Sequence, residues 1–209
     1  MTFIKICGIT NLEDARFSVA AGANAVGFNF YRPSPRYIDP QAARGIIDQL
    51  SNSVLTVGVF VNEESPALVE QIANEAGVAA LQLHGDESPN YCQELSDRYV
   101  IKVLRAGNKF KPEDALDYDV KAIMLDAFDS KLRGGTGRTI DWFLARQTRN
   151  LVPRIILAGG LTPENVGEAI ATVEPYGVDA CSALESVPGK KIPERVSAFV
   201  RAVRAAAPA

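Results

Sequence analysis

Two residues that can exchange protons with a substrate each stand at the end of a short apolar run. Cys7 closes the first run and is followed by Gly8, whereas Asp126 comes directly after the apolar residues 122–125. Runs of this length that end in a turn signal predict buried strands. Because side chains alternate along a strand, we expect Lys5 and Cys7 to share one face. In a barrel of parallel strands and helices, the carboxyl ends of the strands form the rim where catalytic groups collect.

Each candidate also has a purely structural interpretation. Cys7 can be a small buried hydrophobe that never reacts, and Asp126 can be a salt-bridge partner or a loop cap. Asp179, in the last predicted strand, shares that ambiguity. Arg36 lies in a polar loop, where most arginines are solvated, and the single histidine, His84, is typical of an imidazole hydrogen-bonded at a strand end. One histidine does not allow an HExxH zinc site, and we expect no metal site.

Small residues follow the last two predicted strands. Gly159 and Gly160 come after strand seven, and Cys181, Ser182 and Ala183 come after strand eight. Barrels of this class often bind a phosphate group between these two loops. Small residues let backbone N–H groups approach an anion, and a helix N-terminus adds further donors. The double glycine alone is equally compatible with a tight turn, but the two loops together favour a phosphate site.

The glycine-rich residues 134–139 invite a nucleotide-binding interpretation that their sequence does not support. Leu132 stands where a P-loop has its first glycine, and Arg138 replaces the lysine. The segment does not follow a first strand, which argues against a dinucleotide-binding fingerprint as well.

Strand-like and helix-like segments alternate eight times along the chain. Capping residues followed by proline or by an apolar periodic run mark the helix starts. After the strand that ends at Cys7, the predicted strands cover residues 25–30, 55–61, 80–83, 100–104, 122–125, 154–158 and 177–180. The predicted helices cover residues 12–21, begin at Pro40, cover 66–76, begin at Pro89, cover 141–148, begin at Thr162-Pro163 and cover 193–206, with at most a short helix at 112–116.

This alternation predicts an α/β protein with parallel strands joined by right-handed crossovers. Eight units that close on themselves form a (β/α)8 TIM barrel, and we expect residues 1–209 to make one such domain. A doubly wound open sheet is the alternative, but it carries its phosphate loop after the first strand. The double glycine after strand seven therefore favours the barrel.

Composition excludes several classes of protein. The chain has 209 residues, of which 47% are hydrophobic and 22% charged, and a net charge of −3 that gives no reason to expect a nucleic-acid partner. Three cysteines, at positions 7, 92 and 181, are too few for a disulfide framework. No basic leader precedes the first apolar run, and no apolar stretch reaches about 18 residues. We therefore expect a cytoplasmic protein with reduced thiols and no membrane partner.

Six short motifs carry a family resemblance. They lie at residues 5–10 (KICGIT), 34–37 (SPRY), 82–85 (QLHG), 125–126 (LD), 134–139 (GGTGRT) and 158–165 (AGGLTPEN). Together they resemble the phosphoribosylanthranilate isomerase family of tryptophan biosynthesis, over residues 3 to about 199.

The resemblance implies a barrel that isomerises N-(5-phosphoribosyl)anthranilate to the corresponding aminodeoxyribulose phosphate without a metal or organic cofactor. It implies that Cys7 is the general base and Asp126 the general acid. By the same resemblance, Arg36 would hold the anthranilate carboxylate, and His84 and Asp179 would line the sugar and anthranilate pocket. The residues implied for phosphate binding are Gly159, Gly160, Cys181, Ser182 and Ala183.

Three positions depart from the family pattern. Cys181 and Ala183 stand where the family usually has serine and glycine, and Lys191 stands where an acidic residue is usual, which leaves the details of the phosphate contacts open.

Two rival functions remain. The analogous isomerase of histidine biosynthesis carries aspartate at the end of strand one, where Cys7 stands here. A barrel that only binds a phosphorylated ligand is the other rival. We expect a small phosphorylated substrate and a monomer, and the sequence leaves a dimer open.

Overall fold

The computed structural model describes residues 1–51, 53–107, 109–127 and 141–206. Eight parallel strands form a closed barrel in sequence order, and the ring closes where the first strand pairs with the eighth. The predicted α/β barrel is confirmed. The strands are β1 (Phe3–Ile6), β2 (Ala25–Asn29), β3 (Leu55–Phe60), β4 (Ala80–Leu83), β5 (Tyr99–Ala106), β6 (Ala122–Ala127), β7 (Ile155–Leu157) and β8 (Gly177–Ala180).

Helices cover the outside of the barrel, and their ends follow the predicted signals. The side chain of Asn11 caps the first helix, and Gly22 ends it in the left-handed conformation. Asp39 and Ser65 each cap a helix that begins with proline. The helices are α1 (Leu12–Ala21), α2 (Pro40–Ile47), α3 (Pro66–Ala76), α4 (Pro89–Gln93), α5 (Trp142–Leu151), α6 (Val166–Val173) and α7 (Pro193–Ala206). None of the helices in the described residues is both long and apolar enough to cross a membrane.

Several predicted boundaries were wrong at the ends that carry polar residues. Strand β6 runs to Ala127, so Asp126 belongs to the strand and pairs with Arg105 of β5. Helix α6 begins at Val166 rather than at Thr162-Pro163, because residues 163–165 form a turn. A hairpin that the sequence analysis missed follows β8, with strands β9 (Glu185–Val187) and β10 (Lys190–Lys191). The glycine-rich residues 134–139 lie outside the described residues.

Strand register sends alternate side chains into the barrel and towards the helices. Outward-facing residues such as Ile4 and Ile6 join the large core beneath the helices. A smaller apolar cluster fills the barrel interior, and it includes Val57, Ile101 and Met124. Inward positions nearer the carboxyl ends of the strands carry polar groups instead, so the chemistry of the rim stands on an apolar floor.

Candidate active site

A cavity of about 520 Å³ opens at the carboxyl ends of the strands. It is lined by every residue that the sequence analysis named as a site candidate except Ala183. These lining residues are Cys7, Arg36, His84, Asp126, Asp179, Gly159, Gly160, Cys181 and Ser182. Residues that are up to 175 positions apart in the chain (7 to 182) therefore meet around one space.

Cys7 follows β1 and is held at the rim by the ladder to β8. Its backbone N–H donates to the carbonyl of Ala180 at 2.9 Å, and the residue is 9% exposed. Gly8 then turns the chain with φ of 77°. A Cβ atom on Gly8 would lie 2.8 Å from both the Arg36 Cδ and the Cys181 Sγ. Glycine is thus required here, because any side chain would displace neighbours of Cys7 and strain the backbone.

A buried ion pair lies below Cys7, one inward position deeper in the barrel. Lys5 Nζ donates to Asp179 Oδ1 at 2.9 Å, and the two residues are register partners on β1 and β8. Burial by itself lowers the pKa of Lys5, but the negative charges of Asp179 and Cys7 more than offset this and raise it. Burial also raises the pKa of Asp179 to about 6, although the Lys5 ammonium opposes the shift. Lys5 therefore presents a fixed positive charge to the thiol above it.

The surroundings of the Cys7 thiol favour its thiolate form. A hydrogen bond from the Cys181 thiol lowers the pKa of Cys7 well below its usual range, and the charges of Lys5 and Lys191 add to this effect despite burial. As the donor in the same contact, the Cys181 thiol has its pKa raised well above the usual range. The structure therefore pairs a proton acceptor, Cys7, with a thiol that keeps its proton.

Asp126 faces the same cavity from β6, three strands from β1 around the ring by way of β8 and β7. The residue is 7% exposed, and its Oδ2 lies 3.0 Å from Nε2 of His84. The other ring nitrogen of His84 lies 3.2 Å from Nε2 of Gln82. Gln82 and His84 thus form a polar row that orients one oxygen of the Asp126 carboxyl group.

The end of β4 that carries His84 is braced by a second buried ion pair. Lys102 Nζ lies 2.7 Å from Glu87 Oε2 and donates to the carbonyl of Gly85 at 2.9 Å. The Glu87 carboxylate accepts the backbone N–H of Gly85. Both charged side chains are almost fully buried. Removing one partner of such a pair costs about 3–5 kcal/mol, so this clamp holds the His84 backbone firmly.

Arg36 reaches the cavity from the loop after β2 and is held by the hairpin after β8. Its Nε lies 3.0 Å from Glu185 Oε1 and its Nη2 lies 2.7 Å from Glu185 Oε2, a bidentate geometry. Lys191 Nζ contacts Oε1 of the same carboxylate at 2.8 Å. Burial would raise the pKa of Glu185, but the hydrogen bond from Arg36 and the charge of Lys191 lower it instead. Two cations share one carboxylate, which leaves a net positive wall for an anionic group.

Two adjacent loops of the cavity have the character of an anion cradle. Gly159 and Gly160 adopt left-handed φ values of 78° and 68°, which turn their backbone sharply at the mouth. Asn165 holds this turn, because its amide donates to the carbonyl of Gly160 and its oxygen accepts the N–H of Thr162. Positive-φ glycines ahead of a helix form the backbone concavities that bind phosphate groups.

The second loop contains a short 3-10 helix, Ser182–Leu184, directly after β8. Ser182 lines the cavity, whereas Ala183 faces away and its carbonyl accepts a hydrogen bond of 2.6 Å from Arg195 Nε. Arg195 also pairs with Glu164 of the neighbouring loop. The two loops are therefore tied together from behind, which keeps their spacing fixed.

The sequence analysis gave no site role to Glu185, Gln82 or Arg195, and it named Lys191 only as a departure from the family pattern. The turn signal Pro188-Gly189 between Glu185 and Lys191 predicts a hairpin and was a usable hint. The contacts of Gln82 and Arg195 carry no local signature, because they form only when the barrel has closed. Within the described residues, no cluster of three or more His, Cys, Asp or Glu side chains is placed to hold a metal ion.

Known proteins resemble the whole barrel. The family model for N-(5'-phosphoribosyl)anthranilate (PRA) isomerase matches residues 4–202. The chain belongs to the PRA isomerase family. The PRA isomerase of Trichlorobacter lovleyi is 45% identical over 201 residues, covering 96% of this chain and 97% of the relative.

Solved PRA isomerases share the fold closely. The crystal structure from Thermotoga maritima matches with a TM-score of 0.92 and 43% identity, over 98% of this chain and 100% of that one. Another PRA isomerase, solved in complex with reduced 1-(o-carboxyphenylamino)-1-deoxyribulose 5-phosphate, matches with a TM-score of 0.88 and 42% identity over 98% and 100% of the two chains. The chain is thus an enzyme of tryptophan biosynthesis that isomerises phosphoribosylanthranilate, and the expected family is confirmed.

Proposed function

We propose that Cys7 and Asp126 perform the isomerisation as general base and general acid, within one barrel domain. The observation that carries the proposal is their placement in one cavity together with the two anion-cradle loops. The lowered pKa of Cys7 favours the thiolate, which is the form that acts as a base, and the His84 contact orients the Asp126 carboxyl group. A thiolate and a carboxylic acid on different strands can act on opposite sides of a small sugar.

The substrate is expected to span the cavity with its two anionic ends apart. The phosphate group fits the loops that contain Gly159, Gly160 and Ser182, where backbone N–H groups and a helix N-terminus favour an anion. The anthranilate carboxylate fits the positive wall at Arg36. This places the ribose between Cys7 and Asp126. The related enzyme that was solved with a reduced product analogue supports a phosphorylated aromatic amine as the ligand class.

The proposed reaction has two proton transfers that involve enzyme side chains, followed by a tautomerisation. Asp126 gives its proton to the ring oxygen while the C1–O bond breaks, and the nitrogen lone pair forms an iminium ion with C1. The Cys7 thiolate then takes the proton from C2, and the released electron pair forms the C1–C2 double bond of an enolamine. Tautomerisation moves a proton from the enol oxygen to C1 and gives the ketone. Lys5 keeps the thiolate favourable beforehand by its charge.

The test is a direct turnover assay with freshly prepared phosphoribosylanthranilate, followed by the loss of its fluorescence. We expect rapid consumption by the purified chain and none by a Cys7→Ala, Asp126→Asn double variant. The aminoaldose substrate of the histidine-pathway isomerase serves as the second substrate in the same assay. Turnover of that substrate alone, or binding of the product analogue without any turnover, contradicts the proposal.

Arg36→Gln is expected to raise KM roughly 10- to 150-fold, because a hydrogen bond to a charged group is worth about 1.5–3 kcal/mol. We expect a smaller effect on kcat, since the carboxylate lies away from the reacting carbons. Arg32→Gln is the matched control in the same loop, because Arg32 is exposed and stacks over Tyr37 outside the cavity. Steady-state kinetics give the KM of both variants. Equal KM values for Arg36→Gln and Arg32→Gln refute a carboxylate-binding role for Arg36.

Ala183→Gly is expected to change KM less than about threefold, well under the 1.4 kcal/mol of a tenfold effect. Ala183 does not have a positive φ, so its methyl group does not distort the loop, and glycine at that position offers no new contact. Gly160→Ala is the contrasting variant, since a side chain at φ of 68° strains the cradle. Weaker phosphate binding in Gly160→Ala but not in Ala183→Gly is the expected pattern. Tightening beyond tenfold in Ala183→Gly contradicts it.

We further propose that one chain supplies the complete site and works as a monomer in the cytoplasm without a metal or organic cofactor. The cavity residues all come from a single barrel, which supports this view. Monomers have been generated from the dimeric enzyme of Thermotoga maritima, so dimers do occur among relatives. Light scattering of the active enzyme, with a mass near 22.5 kDa expected for the monomer, tests the assembly.

A further inference from the structure

Cys7 and Cys181 stand side by side at the rim. They directly follow Ile6 and Ala180, which are register partners on the neighbouring parallel strands β1 and β8. The ladder continues to them, because the Cys7 N–H donates to the Ala180 carbonyl. Neighbouring strands lie about 4.7–4.9 Å apart, inside the Cα separation of about 4.4–6.8 Å that a disulfide spans.

The two thiols share one accessible space. Both residues line the active-site cavity, one position beyond a register pair of neighbouring strands. Cys181 is partly exposed, and both residues carry free thiols. The third cysteine, Cys92, is 1% exposed beneath the helices and is not part of the cavity.

Two lysines lie near the pair. Lys191 Nζ lies 3.8 Å from Cys181 Sγ, and Glu185 Oε1 lies 3.7 Å from the same sulfur. Lys5 lies one inward position below Cys7 and is paired with Asp179. Cationic neighbours of a partly accessible thiolate are the setting in which cysteines react with oxidants. A second thiol next to such a cysteine acts as the resolving group that captures its first oxidation product.

We propose that Cys7 and Cys181 form a peroxide-sensitive dithiol that closes reversibly to an intramolecular disulfide. The Cys7 thiolate attacks a peroxide, the O–O bond breaks, and Cys7 becomes a sulfenic acid while hydroxide leaves. Cys181 sulfur then attacks the sulfenic sulfur, loses its proton, and expels the hydroxyl group as water. The two sulfur atoms are oxidised by two electrons in total, and the peroxide is reduced by two.

Cys181 stands where the resembled family usually carries serine, which cannot form this bond. The disulfide would remove the Cys7 thiolate that we propose as the base. It would also protect Cys7 from irreversible oxidation to a sulfinic acid. The expected loss of activity rests on the proposed role of Cys7. Formation of the disulfide does not, since it depends only on the placement of the two thiols.

The experiment treats the full-length protein with one to two equivalents of hydrogen peroxide, followed by alkylation of the remaining thiols. Non-reducing tryptic digestion then separates three cysteine peptides, residues 6–16, 45–98 and 155–190, which carry Cys7, Cys92 and Cys181 respectively. We expect a cross-linked peptide of 6–16 with 155–190 and an alkylated Cys92. Activity should fall in step with cross-linking and return after treatment with dithiothreitol.

Two variants sharpen the test. Cys92→Ser should give the same cross-link as the unsubstituted chain. Cys181→Ser should give no cross-link, and its Cys7 should progress to a sulfinic acid whose mass dithiothreitol does not reverse. Sulfinic Cys7 without any cross-link in the unsubstituted chain overturns the proposal, and so does a link that involves Cys92. A complete cross-link with full activity supports the dithiol and instead refutes Cys7 as the base.

Discussion

Replacing Cys7 with alanine is expected to abolish detectable turnover of phosphoribosylanthranilate, a loss of at least about 10²–10⁴-fold in kcat. Among the described residues, the two neighbours of Cys7 that could replace it are unsuited to take the proton from C2, because the pKa values of Lys5 and of the Cys181 thiol are both raised. Binding of a reduced product analogue should change little, since the phosphate and carboxylate contacts lie elsewhere. Calorimetry for binding and the fluorescence assay for turnover separate these two effects.

Cys92→Ala is the matched control, because Cys92 is buried away from the cavity, and it should keep near-normal kcat. The pH profile adds an independent readout. Because the base must be deprotonated, a lowered Cys7 pKa places the acidic limb of kcat/KM below the range of an ordinary thiol. Cys181→Ala removes the hydrogen bond that contributes most to this shift, so the limb should move to higher pH. Near-normal turnover in Cys7→Ala refutes the assignment of Cys7 as the general base.

Replacing Asp126 with asparagine is expected to lower kcat by about 10²–10⁴-fold. The amide keeps the shape of the side chain and can still contact His84, but it cannot give a proton to the ring oxygen as a carboxylic acid does. Ring opening must then proceed without acid assistance, and this slow step limits the rate. KM and the affinity of the product analogue should change far less than kcat, which steady-state kinetics and calorimetry measure.

Asp97→Asn, at an exposed position outside the cavity, is the control for a change from carboxylate to amide. Asp179→Asn is the informative comparison, because Asp179 lines the same cavity but is paired with Lys5. If Asp126→Asn keeps more than about a tenth of wild-type kcat, below the usual range for acid catalysis, the acid role moves to Asp179. In that event, Asp179→Asn should show the larger loss.

Local signals in the sequence were sufficient for the barrel and for most of its helix ends. Asn11 and Gly22 bound α1 as their types predict, because capping depends on residues within one turn. Period-two alternation correctly placed Lys5 on the buried face of β1 beneath Cys7. The end of β6 was less predictable, since Asp126 is polar although it continues the ladder opposite Arg105. Polar strand ends look like loops when only the apolar run is read.

Partners of the site residues could not be predicted, because they depend on closure of the ring. Arg36 and Glu185 are 149 positions apart, and no sequence pattern near either residue predicts their bidentate contact. The same holds for the thiol pair at Cys7 and Cys181, which strand order alone brings together. Residue types therefore predicted which side chains line the cavity. The contacts that shift the pKa values of these side chains could be seen only in the structure.

The pairing of β1 with β8 has a consequence for how the enzyme folds during synthesis on the ribosome. Asp179, the partner of Lys5, is synthesised 174 positions after it. At a translation rate of about 5–20 residues per second, that interval lasts roughly ten to thirty seconds. During that time the nascent sheet has unpaired edges at both ends, and the charge of Lys5 has no counter-ion in the interior. Catalytic competence must therefore arrive late and abruptly, as the final strand closes the ring and the dithiol, the ion pair and the phosphate cradle are assembled together.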